Sequence, residues 1–132
     1  LVCLSGPYRY TKEDLPGLHY RVFARLFWNI IAPGTAAITR FAVTGGNVTL
    51  RREALARIGG IDTSIAFYGD DTNLARRLHS IGKVKFSRRL WCYTSGRRLQ
   101  KKFFSTSVHY IINYLSEAVF HRPVLKQYED IR

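Results

Sequence analysis

The sequence predicts an α/β domain followed by an amphipathic C-terminal helix. Short apolar runs of strand length alternate with segments of helical periodicity, and Gly or Pro separates most of them. The last segment, from about Leu99, keeps its apolar positions in helical register and is followed by no strand.

Leu1-Val2-Cys3-Leu4 reads as a buried strand ended by the turn residues Ser5-Gly6-Pro7, and Leu15-Pro16-Gly17 is a second break. Leu18, Val22, Phe23, Leu26, Phe27, Ile30 and Ile31 then recur at helical spacing, with Arg21, Arg25 and Asn29 on the other face. This predicts an amphipathic helix stopped by Pro33-Gly34. Phe41 to Thr44 reads as a short strand. A helix from Thr49 or Leu50 to Ile58 ends at Gly59-Gly60. After a loop from Ile61 to Gly69, a helix begins at Asp70-Asp71, carries Leu74, Leu78 and Ile81 on one face, and ends at Gly82. Lys83–Phe86 and Leu90–Thr94 are expected strands. The final helix lines up Phe104, Val108, Ile111, Ile112, Leu115 and Val119, and stops near Pro123. The expected division is 1–98 for the α/β part and 99–132 for the helical tail.

The chain has 132 residues, of which 46% are hydrophobic and 14% aromatic, so it has room for one core and the means to fill it. The formal net charge of +12 favours an anionic partner: nucleic acid, an anionic membrane surface or a phosphorylated small molecule. Cys3 and Cys92 form no ligand-like cluster, which points to a reducing, cytoplasmic setting. No stretch reads as long and apolar enough to span a bilayer. The best, Leu26–Ile38, is interrupted by Asn29, Pro33 and Gly34. The N-terminus carries no signal-peptide pattern and reads as a strand already in progress, so a fragment is expected.

There is no G-x-G-x-x-G, P-loop, C-x-x-C, H-E-x-x-H or G-x-S-x-G, and the four histidines are scattered, so zinc-type ligation is unsupported. The carboxylates are more informative. Between Asp62 and Glu117 the only acids are Asp70 and Asp71, in an interval rich in Lys and Arg. Such a field is expected to hold both carboxyls low and so keep them ionised, and a helix start favours negative charge. A helix N-cap accounts for one Asp. It does not account for the second, nor for the approach Phe67-Tyr68-Gly69. Gly45-Gly46-Asn47 has two readings: close backbone approach to a ligand, or a turn needing φ > 0. Arg97-Arg98 with Lys101-Lys102 place cations at a helix start, against the dipole. A nearby anion would relieve this.

Three segments in order, Gly45-Gly46-Asn47-Val-Thr-Leu-Arg51-Arg52-Glu-Ala-Leu, Ile58-Gly59-Gly60-Ile61-Asp62 and Tyr68-Gly69-Asp70-Asp71-Thr-Asn-Leu-Ala-Arg-Arg-Leu78, resemble the second half of the inverting glycosyltransferases of family 2. The resemblance covers about Thr44 to Arg98. It implies the C-terminal half of a GT-A fold, a Rossmann-like sandwich that binds a nucleotide-sugar donor. It also implies Mg²⁺ or Mn²⁺ held by a D-x-D-type motif. No D-x-D occurs here, so donor and metal binding are expected upstream, no metal ligand is assigned within the chain, and the segment alone is expected to be inactive. By position Asp71 matches the general base, and Asp70 stands where the family usually has Glu. Gly45, Gly46 and Asn47 would line the sugar or acceptor pocket, and Arg97 and Arg98 would lie near the diphosphate. The implied acceptor is a carbohydrate or a lipid-linked molecule.

Two other readings compete. Lys83, Lys85, Phe86, Arg88, Trp91 and Tyr93 interleave aromatics with cations, as a nucleic-acid module would, but the alternation of Val84 and Phe86 with Lys83 and Lys85 is that of a half-buried strand. Nucleic acid is therefore not the expected partner. The basic start and apolar stripe of the final helix would rest in the plane of an anionic membrane, which gives a peripheral location on the cytoplasmic face.

Overall fold

The computed structural model describes residues 1–65, 69–97, 112, 116 and 120. It is a mixed α/β structure, and its centre is the strand β1 (Cys3–Ser5). β1 pairs antiparallel with β3 (Val48–Leu50), Cys3 facing Leu50, and parallel with β4 (Val84–Phe86), Cys3 facing Val84. Cys3, Ala54, Leu74, Leu78 and Val84 are buried together, and Val2, Val48, Leu50 and Ile58 pack around them. Burial pushes the Cys3 thiol up to about 11, so it is a core group and not a nucleophile. A two-stranded parallel pair, β2 (Tyr8–Arg9) with β5 (Cys92–Tyr93), lies beyond the end of this sheet.

The helix α3 (Arg52–Arg57) ends as expected at Gly59-Gly60. Both glycines have positive φ, 77° and 83°, and the Gly60 N–H returns to the Leu55 carbonyl while the Gly59 N–H returns to Ala56. The helix α4 (Asp70–His79) buries Leu74 and Leu78 against the sheet, keeps its acids in the first turn and its cations in the last, and so complements the dipole.

Three expectations fail here. Phe41–Thr44 is not a strand, and Val48–Leu50 forms one instead, where a helix was expected to open at Thr49 or Leu50. Its three residues, Val-Thr-Leu, alternate about a pairing edge that β1 supplies. Pro33-Gly34 does not stop the first helix. α1 (Leu18–Leu26), a π-helical turn (Phe27–Ile31) and α2 (Ala32–Thr39) run on as one helix to Arg40, whose φ of 64° closes it. The π turn provides a reason. The Ala32 N–H reaches back five residues to the Phe27 carbonyl, so the ladder is already wide where the Pro33 ring must fit and a donor is missing.

The third failure follows from the second. Leu18–Thr39 is a helix of 22 residues, long and apolar enough by length and composition to cross a membrane, whereas the sequence alone had indicated no such stretch. The tail expected to be a helix from Leu99 lies outside the described residues except for Ile112, Ser116 and Phe120, which are helical.

Candidate active site

The site begins with Ser5 at the end of β1. Its buried hydroxyl donates to the Asn47 carbonyl at 2.8 Å and accepts from the Thr44 N–H at 2.8 Å. The Asn47 N–H closes on the Thr44 carbonyl at 2.8 Å, so Thr44–Asn47 is a tight turn with Gly45-Gly46 at its tip. The Asn47 side-chain amide donates to the Pro7 carbonyl at 3.2 Å and the Leu90 carbonyl at 2.9 Å. That amide ties three chain segments together. Both N–H groups of the Asn47 amide are therefore engaged within the fold.

Neither glycine of the turn has positive φ. What they supply is space. A β-carbon on Gly46 would overlap the Tyr8 phenol oxygen, and one on Gly45 would lie 3.2 Å from the Asp71 Oδ2. The reading of Gly45-Gly46 as a turn that needs φ > 0 is therefore not realised, and the groups that occupy the space beside the two glycines are Tyr8 and Asp71 of the protein itself.

Asp71 is reached from the other direction. Gly69, with φ of 113°, turns the chain into α4 and occupies the N-cap position with no side-chain cap bond. The cap reading of the aspartates thus fails. Asp70 is exposed, and the half-buried Asp71 accepts from the Gly45 N–H at 3.2 Å through Oδ2 and from its neighbour, the Thr72 N–H, at 2.8 Å through Oδ1. Residues 26 positions apart in sequence meet at this corner, which stays open to solvent because Gly45, Gly46 and Asp70 are exposed.

Burial pushes the Asp71 carboxyl up from 3.8 to about 6. The adjacent Asp70 adds to the rise, and the bonds from Thr72 and Gly45 offset part of it. The expectation that the basic field would hold this carboxyl low is overturned. Much of that field is elsewhere: Lys83, Lys85, Arg88 and Arg89 gather with His79 at the far end of α4. The ten residues of α4 span about 15 Å, beyond a screening length of about 10 Å.

The structure brings Gly45, Gly46, Asp70 and Asp71 together. Arg97 is exposed, and its described hydrogen bond is from its own N–H to the Ser95 Oγ. Arg98 lies outside the described residues. Among the described residues no three His, Cys, Asp or Glu side chains converge, and both Asp71 oxygens already face N–H donors. These residues do not fit a divalent cation. Sequence reasoning missed Ser5 and Tyr8. Ser5 was read only as a turn residue, and nothing in the local pattern marks a tyrosine that will sit against a glycine 38 positions later.

No curated protein and no solved structure matches the chain significantly. A protein family does: glycosyl transferase family 21 matches residues 22–111, about two thirds of the chain, a span that holds both the Gly45-Gly46 turn and the Asp70-Asp71 helix start. The α/β architecture and this match agree with a transferase of sugars, and the chain belongs to glycosyltransferase family 21.

Proposed function

We propose that this chain is the acceptor-side part of a GT-A-type transferase that moves a sugar from a nucleotide-sugar donor to an acceptor hydroxyl with inversion, and that Asp71 is the general base. The observation that carries this reading is the corner between Gly45 and Asp71. A carboxylate held by two N–H donors at an open, glycine-walled edge has a fixed orientation and room beside it for an incoming hydroxyl. The proton balance is simple. The acceptor oxygen forms its bond to the anomeric carbon, its proton passes to Asp71, and the bond to the nucleoside diphosphate breaks with the electron pair leaving on the phosphate oxygen. A carboxyl raised to about 6 is ionised at neutral pH yet more basic than an ordinary Asp, which suits a base. Asp70 contributes by raising its neighbour. The Mg²⁺ or Mn²⁺ expected for such donors is assigned to none of the described residues, and no step is drawn through it. Carbohydrate and lipid-linked acceptors both remain within the proposal.

The test is transfer from a panel of labelled nucleotide sugars, with the protein expressed from the full reading frame that contains this segment. Asp71→Asn should lower transfer by on the order of 10² or more while donor binding is kept, and the acid limb of the rate profile should lie near the raised value. Near-normal turnover in Asp71→Asn, with loss in Asp70→Asn, would move the base to the neighbouring carboxylate.

A further inference from the structure

The Leu18–Thr39 helix leaves most of its large apolar side chains exposed, with Arg25 and Asn29 beside Val22, Leu26 and Ile30. Only 11% of its apolar stretch is buried. Leu18, Val22, Leu26 and Ile30, spaced four apart, are all exposed, Leu18 by 69% and Ile30 by 64%, and Ile38 is exposed by 84%. Between Arg25 and Arg40 the helix carries no charge. Its polar side chains turn back on the backbone: the Asn29 amide donates to the Arg25 carbonyl, the Thr35 hydroxyl to Ile31 and the Thr39 hydroxyl to Thr35. That arrangement satisfies polar groups without water. The other side of the helix is held to the domain by Trp28, whose ring meets Tyr8 edge-on at 5.4 Å.

Where the last turns of this helix meet β4, a groove of about 640 Å³ opens. Pro33, Ala36 and Ala37 form one wall. Arg40, Lys83, Lys85, Arg88 and Arg89 line much of the rest, beside Val84 and Phe86, with no acidic residue among the lining groups. An apolar stripe thus runs into a cationic groove on the same molecule.

We propose that this composite face docks on an anionic bilayer. The exposed stripe from Leu18 to Ile38 enters the headgroup boundary, and the groove takes lipid phosphate. The helix lies in the plane and does not cross. Leu15 before it and Ala42 and Thr44 after it are buried, and the segments on both sides pack into one domain, so the two ends share one side of the membrane. Charge selects the occupant. Five cations with no acid beside an apolar ridge complement a surface that offers hydrocarbon and phosphate together, and a neutral protein surface lacks the anionic group. The proposal is independent of the chemistry assigned to Asp71, because its groove lies at the opposite end of α4 and none of the exposed side chains it uses belongs to the corner.

The experiment is vesicle flotation of the 132-residue chain with phosphatidylcholine alone and with added phosphatidylserine. Binding should require the acidic lipid. Lys83→Glu/Lys85→Glu should reduce it roughly tenfold or more. Leu26→Gln/Ile30→Gln should reduce it comparably, and all four side chains are exposed, so thermal melts should stay at the wild-type midpoint. Equal binding to both vesicles overturns the role of the groove. Unchanged binding in both variants overturns the face and leaves the C-terminal cations as the contact. Release by inorganic phosphate, but not by sodium chloride at equal ionic strength, makes the groove a small-anion pocket instead. An oligonucleotide bound as tightly as acidic vesicles, with Leu26→Gln/Ile30→Gln without effect, assigns the face to nucleic acid.

Discussion

The corner at Gly45 and Asp71 and the helix from Leu18 to Thr39 invert the usual placement of polarity. At the corner a carboxylate is drawn partly out of water and held by two backbone N–H groups. Along the helix a run of large apolar side chains is left in water, while its polar groups bond inward to their own carbonyls. Each arrangement costs stability in the isolated fold, the first through desolvation of charge and the second through exposed hydrocarbon. Regions that break local rules in this way are where function is to be sought. The two differ in what each needs: the corner needs a proton donor to approach, and the helix needs a surface to cover it.

That contrast can be broken most sharply at Gly46. Gly46→Ala puts a methyl group where the Tyr8 hydroxyl stands, and should cost about 1–3 kcal/mol in chemical denaturation. Tyr8→Phe in the same chain should recover part of it. If Gly46→Ala is neutral by itself, the turn is not tightly packed against Tyr8.

Asp71→Asn has the next effect, and its sign is opposite. The folded chain holds the Asp71 proton up to about pH 6, whereas the ordinary value is 3.8. As pH rises through that window the unfolded chain ionises first, so the wild type loses stability, and above it the loss stays constant. The Asn variant lacks the loss. It should therefore be more stable than the wild type at pH 7 by on the order of 1 kcal/mol, allowing for the solvent that reaches this half-buried group. The gain should vanish near pH 4. A variant less stable than wild type at pH 7 would mean that the N–H contacts outweigh the desolvation.

The smallest effect belongs to the helix. Ile38→Gln should change stability in water by less than about 0.5 kcal/mol, because the side chain is 84% exposed. Solubility should rise. A loss of about 2 kcal/mol or more would show that Ile38 is covered by another part of the chain in solution.

Much of the corner was legible beforehand. The ordered series Gly45-Gly46-Asn47, Gly59-Gly60 and Asp70-Asp71 marked the turn, the helix stop and the helix start, and each lies where it was expected. The Asp71 carboxyl was expected to be held low and is raised instead. The count of nearby cations in sequence says nothing about which end of α4 they face, and burial is not a local property. The helix was legible in its periodicity but not in its length. A rule that proline and glycine stop helices holds for a regular ladder, and the π turn at Phe27–Ile31 replaces that ladder just ahead of Pro33.

The sequence by itself determined the α/β alternation, the positions of the breaks, the excess of positive charge and the isolation of two carboxylates among cations, because these depend only on residue type and spacing. The tertiary structure decided what those residues face. Ser5 pins a turn 39 residues away, Tyr8 fills the space left by Gly46, and Gly45 meets Asp71 across 26 residues. It also left the apolar side of the first helix uncovered. Long-range neighbours set burial, burial sets the energy of a charge or a methyl group, and no local pattern encodes which neighbour arrives.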